Sequence, residues 1–224
     1  MIYKNTVTGK FLNRPNRFIA NVEIDGKTEV CHVKNTGRCK ELLVPDARVI
    51  LEQSHNPDRK TKYDLVAVYK GDMLINMDSQ APNKVFGEWA VQSGFFGNVT
   101  KIKPECKYKN SRFDFYIEAD DKKIFAEVKG VTLEEDGVVM FPDAPTERGI
   151  KHINELADAV KNGYEAYVFF IIQMEKCKFF TPNTKTHPEF ADALKDAKGV
   201  NIMALNCKVT EQTLVANEFV EIKL

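Results

Sequence analysis

Asp114 and the triplet Glu127-Val128-Lys129 bring two carboxylates and an ammonium into one short stretch of chain. The stretch SRFDFYIEADDKKIFAEVKG, residues 111–130, reads as strands 112–118 and 123–129 about the polar turn Ala119-Asp120-Asp121-Lys122. A turn closed symmetrically on Asp120-Asp121 pairs residues whose numbers sum to 241, which sets Asp114 opposite Glu127. In that register Phe113, Phe115 and Ile117 face Val128, Ala126 and Ile124. The other face carries Arg112, Asp114, Tyr116, Glu118, Lys123, Phe125, Glu127 and Lys129. A slip of one residue would mix the two sets. Directly opposed residues have Cβ atoms about 4.5–5.5 Å apart, so like charges there cost stability unless neutralised. A divalent cation would neutralise them, since Mg²⁺ takes one or two carboxylates and keeps waters for a phosphate. Lys129 projects from the same face and could position a water or offset phosphoryl charge. The plainer alternative is a solvated face on which Arg112, Lys123 and Lys129 pair the acids.

An Asp on one strand and Glu-x-Lys on the next resembles the arrangement of the restriction-endonuclease-like PD-(D/E)xK nucleases. The resemblance implies catalytic roles for Asp114, Glu127 and Lys129. It also implies Mg²⁺ or Mn²⁺ held by Asp114, Glu127 and the backbone carbonyl of Val128. Glu88, upstream on an expected helix, is a further candidate ligand or else surface charge.

The elements that must position these groups belong to an ordinary globular composition: 224 residues, 43% hydrophobic, 29% charged, formal net charge zero. Charge is mildly uneven, with 13 Lys/Arg against 10 Asp/Glu in residues 1–82 and 19 against 22 beyond. Five scattered cysteines form no CxxC pair and suit reduced thiols in a cytoplasmic protein. Cys31, His32 and Cys39 have the wrong spacing for a common zinc motif. The N-terminus lacks the apolar core of a signal peptide, and the strongest apolar stretch, 167–172, is far too short for a membrane helix. No membrane partner is expected, and oligomeric state is not readable.

Residues 1–80 read as closely spaced strands at 18–24, 28–33, 48–52, 65–69 and 73–76, with a helical patch near 40–43. That pattern suggests a small oligonucleotide/oligosaccharide-binding (OB) type β-barrel, a candidate nucleic-acid-binding domain. Residues 81–224 read as an α/β domain with a mixed sheet. After a linker at 79–83, Asn83 caps a helix through Gln92, with Val85, Trp89 and Gln92 at helical spacing. A second helix starts at the N-cap Thr146 and ends at Gly163, burying Ile150, Ile153, Leu156, Ala157 and Val160, with Arg148, Lys151, His152 and Glu155 turned away. Strand 164–173, helix 187–198 and strand 200–205 imply parallel pairing under helices, with the hairpin at one end of the strand order.

Several segments together resemble the sugar fermentation stimulation protein A (SfsA) family. They are Arg17-Phe18-Ile19-Ala20, Asn35-Thr36-Gly37, Glu105-Cys106-Lys107-Tyr108, Ser111-Arg112-Phe113-Asp114-Phe115, Glu127-Val128-Lys129 with Val131-Thr132-Leu133, Phe141-Pro142-Asp143-Ala144, and Thr146-Glu147-Arg148-Gly149-x-Lys151-His152 closed by Glu155-Leu156. The resemblance spans nearly the whole chain. It implies an OB-like N-terminal domain, a nuclease-like C-terminal domain, DNA binding, and for some members regulation of sugar (maltose) utilisation genes. Lys34 departs from the proline that relatives tend to place before the Asn, and adds a cation.

Among the remaining cations, Asn35-Thr36-Gly37-Arg38 could cradle a phosphate in its amides, with Arg38 bidentate, or be a plain turn. Arg14 and Arg17 lie beside Phe11 and Phe18, an interleaving that suits single strands or a strand with buried aromatics. Arg148 and His152, four apart, share a helix side near the positive N-terminus, where phosphate is favoured; Arg148 could instead pair with Asp143. The reading is a DNA-binding protein with a metal-dependent phosphodiesterase site, gripping phosphates through Arg17, Lys34–Arg38, Arg112, Arg148, Lys151 and His152. The alternatives are a non-catalytic DNA-binding regulator and an oligosaccharide-binding module.

Overall fold

In the computed structural model, which describes residues 1–56 and 58–224, the first third of the chain closes a barrel. Strands β1 (Thr6–Asn16), β2 (Ile19–Ile24) and β3 (Lys27–Val33) form an antiparallel meander; β4 (Arg48–Gln53) returns beside β1 and β5 (Tyr63–Lys70) pairs with β4. The ring closes through parallel pairing of His32 with Asp64 and Val33 with Leu65. Closure leaves the five strands without a free edge, and β6 (Met73–Asn76) continues from β5. Strict alternation turns Ala20, Val22 and Ile24 of β2 inward. The strand that the sequence pattern does not isolate is β1, where only Gly9 and Phe11 are buried. Gly9 is required by close approach: a Cβ there would lie 2.5 Å from Val22 Cγ1. The expected helical patch at 40–43 is a single turn in which Leu42 and Leu43 N–H donate to the Cys39 carbonyl.

The rest of the chain runs α1 (Ala81–Gln92), β7 (Val99–Tyr108), β8 (Ser111–Ala119), β9 (Lys122–Val131), β10 (Leu133–Glu135), β11 (Val138–Phe141), α2 (Glu147–Lys161), β12 (Glu165–Ile172), β13 (Phe179–Pro182), α3 (Pro188–Asp196), β14 (Val200–Val209) and β15 (Leu214–Phe219). The principal sheet has the order β15-β14-β12-β9-β8-β7, with β9, β12 and β14 parallel. It is covered on both faces. Val85 and Phe86 of α1 pack on Phe115, Ile124, Ala126 and Phe169. Ile153 and Leu156 of α2 and Phe190 of α3 pack with Phe113, Phe125 and Phe170. Double covering explains why residues 124–128 are all buried.

The expected position of the hairpin at one end of the sheet is corrected: β8 and β9 lie inside it, and β7 and β15 form the edges. Sequence patterning misses β7 because its exposed face is Lys-rich and it carries Pro104, which an edge strand tolerates. The first helix starts at Ala81 with Pro82 in its first turn and Gln80 as N-cap, so Asn83 is inside the helix rather than its cap. Thr146 does cap α2, its Oγ1 accepting the Gly149 N–H at 3.0 Å. Among the described residues no helix is long and apolar enough to cross a membrane, and the five cysteines are free.

The barrel is fastened to the α/β unit by a buried polar network. Gln173, just past β12, donates to Asn76 Oδ1 at 2.8 Å and to the Asp78 carbonyl at 3.0 Å. The Asp78 side chain, fully buried, accepts from Tyr3 Oη at 3.2 Å and Gln80 N at 3.0 Å and pairs with Lys34 Nζ at 2.8 Å. Removing one partner of such a pair leaves the other charge without compensation. Asp78→Ala is therefore expected to cost about 3–5 kcal/mol in urea unfolding. A loss within error of zero would mean that this network does not hold the two units together.

Candidate active site

The register of the hairpin is as the apolar pattern requires, up to one point. Pairs from Ala119 with Lys122 to Phe115 with Ala126 follow the expected sum, and there the pairing of β8 with β9 stops. On the other side, β7 pairs Pro104 with Phe115 and Cys106 with Phe113, and the residue between, Glu105, has φ 50°. Asp114 thus sits where β8 is unpaired on both sides. The break switches faces: Phe115 packs on Phe86 of α1 at 5.0 Å, whereas Phe113 packs on Phe125 at 5.1 Å and on His152 of α2 at 6.2 Å. The expected common face of Phe113, Phe115 and Ile117 fails at Phe113, because both faces are covered and each offers an apolar layer.

The expectation that Asp114 and Glu127 share one face is corrected by the same break. Asp114 accepts from Val128 N at 2.8 Å through Oδ2 and from Asn83 Nδ2 of α1 at 2.9 Å through Oδ1. Glu127, only 2% exposed, is anchored from the opposite layer. Lys129 Nζ reaches its Oε1 at 2.6 Å and His152 Nδ1 reaches the same oxygen at 2.5 Å. The other oxygen, Oε2, is buried and has no partner among the described residues. The two carboxylates remain electrostatically coupled. Burial first, and the Glu127 charge second, push Asp114 above the usual carboxylate range despite its two hydrogen bonds. Burial acts to raise Glu127 too, but the His152 hydrogen bond and the Lys129 charge outweigh it and hold Glu127 below the usual range.

These residues fit a hard divalent cation. A buried carboxylate oxygen without a protein partner, on a residue electrostatically coupled to a second carboxylate, is an arrangement that costs stability unless a cation or water takes it up. Among the described residues no group of three or more His, Cys, Asp or Glu side chains is placed to hold a metal ion, so a cation here would rest on the two carboxylates, a backbone carbonyl and water. Glu88, the further candidate ligand, is engaged by the N-terminal ammonium at 2.6 Å and is 43% exposed.

The expected phosphate ligands separate into several groups. Asn35 Oδ1 accepts the Gly37 N–H at 2.7 Å. Arg14 donates to the carbonyls of Arg17, Asn35, Gly37 and Arg38 at 2.6–2.9 Å, so it shapes the loop from within. A cleft of about 740 Å³ opens beside that loop. Arg17, Thr36, Arg38 and Lys40 line it from the barrel, and Gly130, Thr132 and Phe141 from the α/β unit, starting one residue past Lys129. Arg17, Arg38 and Arg148 are exposed. Lys34 is committed to Asp78 and Arg112 to Glu105 at 3.1 Å. Lys151 is exposed but reaches the Asn110 carbonyl at 3.1 Å. His152 is corrected: it lies on the buried side of α2, 4% exposed, with Arg148 Nε 3.4 Å from its Nε2.

Residues 12–77 match the SfsA N-terminal OB domain, and residues 80–213 match the sugar fermentation stimulation protein RE domain. The chain belongs to the sugar fermentation stimulation protein family. Homologs from Desulfitobacterium hafniense (strain Y51) and Clostridium beijerinckii are 62% and 60% identical to it, covering all of this chain and 99% and 100% of theirs. The structure of Pyrococcus furiosus SfsA in complex with Ca²⁺ superposes with a TM-score of 0.90 at 28% identity, covering 100% of this chain and 98% of that one. The architecture is accordingly the OB-like barrel and restriction-endonuclease-like α/β unit of the family.

Within this SfsA fold three contributors escape sequence reasoning: Asn83 on Asp114, Arg14 inside the loop, and His152 on Glu127. A signal existed for the last. Gly149, His152, Ile153, Leu156 and Ala159 are the buried residues of α2, and only the habit of counting His as polar hides that stripe. Because Glu127 is paired and Asp114 is not, the two carboxylates respond oppositely to neutralisation. Asp114 has a raised folded pKa, so its ionisation opposes folding once pH rises above the unfolded value near about 4. Asp114→Asn is expected to leave the metal-free protein as stable as wild type or more so at pH 7, with any gain vanishing at acid pH. Glu127 has a lowered pKa, so its contribution is present above its unfolded value and is lost as pH falls through the folded one. Glu127→Gln is expected to cost about 1–3 kcal/mol at pH 7. Chemical denaturation across pH 3–7 checks both, and equal shifts of the same sign would refute the assignment.

Proposed function

We propose that this chain is a divalent-cation-dependent phosphodiesterase acting on DNA, with residues 1–80 as the binding domain and residues 81–224 as the catalytic one. The reading is carried by one observation: Glu127 is buried with one oxygen unpartnered, electrostatically coupled to Asp114 and in contact with Lys129. The Ca²⁺ in the Pyrococcus furiosus relative supports a divalent ion. Asp114, Glu127 and the Val128 carbonyl would hold Mg²⁺ or Mn²⁺, which when bound polarises a phosphate oxygen and lowers the pKa of a bound water.

The chain's own groups do the rest. Lys129, 16% exposed, holds an ammonium where a water or the charge developing on phosphorus can meet it. Arg17, Arg38 and Lys40 line a cleft whose other wall starts at Gly130, the residue after Lys129, and grip flanking phosphates, with Arg148 doing so from the start of α2. The regulator reading keeps the same fold without turnover; the complete trio Asp114, Glu127 and Lys129 favours the enzyme.

The test incubates purified protein with single-stranded, double-stranded and flapped DNA, with Mn²⁺ or with chelator. Cleavage is expected with Mn²⁺ alone and is abolished in Asp114→Asn. Lys129→Met is expected to retain Mn²⁺ binding while turnover falls about 10²–10³-fold. Arg38→Ala should weaken binding to all sequences alike, and affinity should fall by about 0.7–0.9 log units per log unit of salt for each phosphate neutralised. Salt-dependent binding with no cleavage, and no Mn²⁺-induced thermal shift, would replace the enzyme by the regulator.

A further inference from the structure

His152 touches Glu127 but is neither a cation ligand nor a phosphate contact in that reading. It is buried on α2, edge-on to Phe113 at an interplanar angle of 83°, with Nδ1 on Glu127 and Nε2 facing Arg148. Glu127 has four lone-pair sites on two oxygens, yet both of its side-chain partners sit on Oε1. Oε2 is left without a partner among the described residues, so the contacts on Glu127 are one-sided. Lys129 cannot impose it alone, because an ammonium on a flexible four-carbon stem does not orient a carboxylate plane. A planar ring held between Phe113 and Arg148 can.

The neighbours also set the tautomer. A guanidinium only donates, so Nε2, 3.4 Å from Arg148 Nε, is the acceptor. A carboxylate already gripped by Lys129 only accepts, so Nδ1 carries the proton. Both sides of the ring require the same form, and a directed chain runs from Arg148 through His152 to Glu127.

We propose that His152 is a positioning residue for the cation site: its Nδ1–H fixes Oε1 of Glu127 and so keeps Oε2 free as the ligand oxygen. The proposal rests on the divalent-cation reading of the site. Partners that orient metal ligands are typically worth about 10–100-fold in affinity.

The test compares His152→Asn, whose amide nitrogen falls at the Nδ1 position, with His152→Gln, whose nitrogen falls near Nε2, and with His152→Leu, which has no donor. Mn²⁺ affinity is measured by calorimetry on the full chain, and the wild-type imidazole is observed by ¹⁵N NMR without metal. The wild type is expected to show a protonated Nδ1 and a bare Nε2. His152→Gln and His152→Leu should lose about 10–100-fold in Mn²⁺ affinity, and His152→Asn should recover most of it. A merely structural histidine would not separate the two amides. Equal affinities for His152→Asn and His152→Gln, or an Nδ1 that carries no proton, would overturn the proposal even where His152→Leu fails to fold. A wild type that binds no Mn²⁺ would overturn the cation reading itself, and this role with it. Normal wild-type binding with indistinguishable variants would overturn only the role of His152.

Discussion

A carboxylate at the centre of a doubly covered sheet must be paired, and the arrangement of the α/β unit follows from how Glu127 is paired. Its charge is too deeply buried to be solvated, and an uncompensated charge there would not survive folding. Lys129 meets it along the same strand and His152 from the helix above. That second contact fixes where α2 must start, which is what the Thr146 cap and the close approach at Gly149 secure; a Cβ on Gly149 would lie 2.8 Å from Thr146 and 3.1 Å from Phe190. The same demand shapes β8. By leaving the ladder at Asp114, the strand sends Phe113 under His152 and frees a second carboxylate to take the Val128 N–H.

The barrel contributes to the site through a rigid attachment. Apolar packing is continuous from Val33, Leu65 and Met77 of the barrel into Phe170, Ile172 and Met174. Over it lies the network of Asn76, Asp78, Gln173 and Lys34, which are satisfied by one another and by Tyr3. Loop 35–38 follows Lys34 directly, so fastening Lys34 sets that loop beside the end of β9. Gly37 shows how close the fit is, since a Cβ there would stand 2.9 Å from Asp143 Oδ2. The cleft is therefore built from both folding units, while Asp114 opens on a separate hollow beside α1.

Much of this was legible in the residues. Alternating apolar positions gave the hairpin register as far as Phe115 and Ala126 and the strands β2 to β6, because burial on one side of a strand leaves a period of two in the sequence; on α1 they found Val85 but not Phe86 or Ala90. Thr146 announced the start of α2 by the chemistry of its hydroxyl. The edge strand β7 left no such trace, since a strand exposed to water has no apolar face to repeat. The first barrel strand was equally quiet, with a glycine where a core side chain would otherwise stand.

By itself, then, the sequence determined the pairing of β8 with β9, the presence of Asp114, Glu127 and Lys129 on them, and the two-part architecture. These depend on local periodicity and on contacts between neighbours in the chain. The tertiary structure alone decided that Asp114 leaves its ladder, that His152 turns inward, that Lys34 is spent on Asp78, and that Arg14 holds the loop. Each of those is a choice among several partners for one polar group. That choice depends on which layers cover the group and how far water is excluded, quantities that exist only once distant segments have packed.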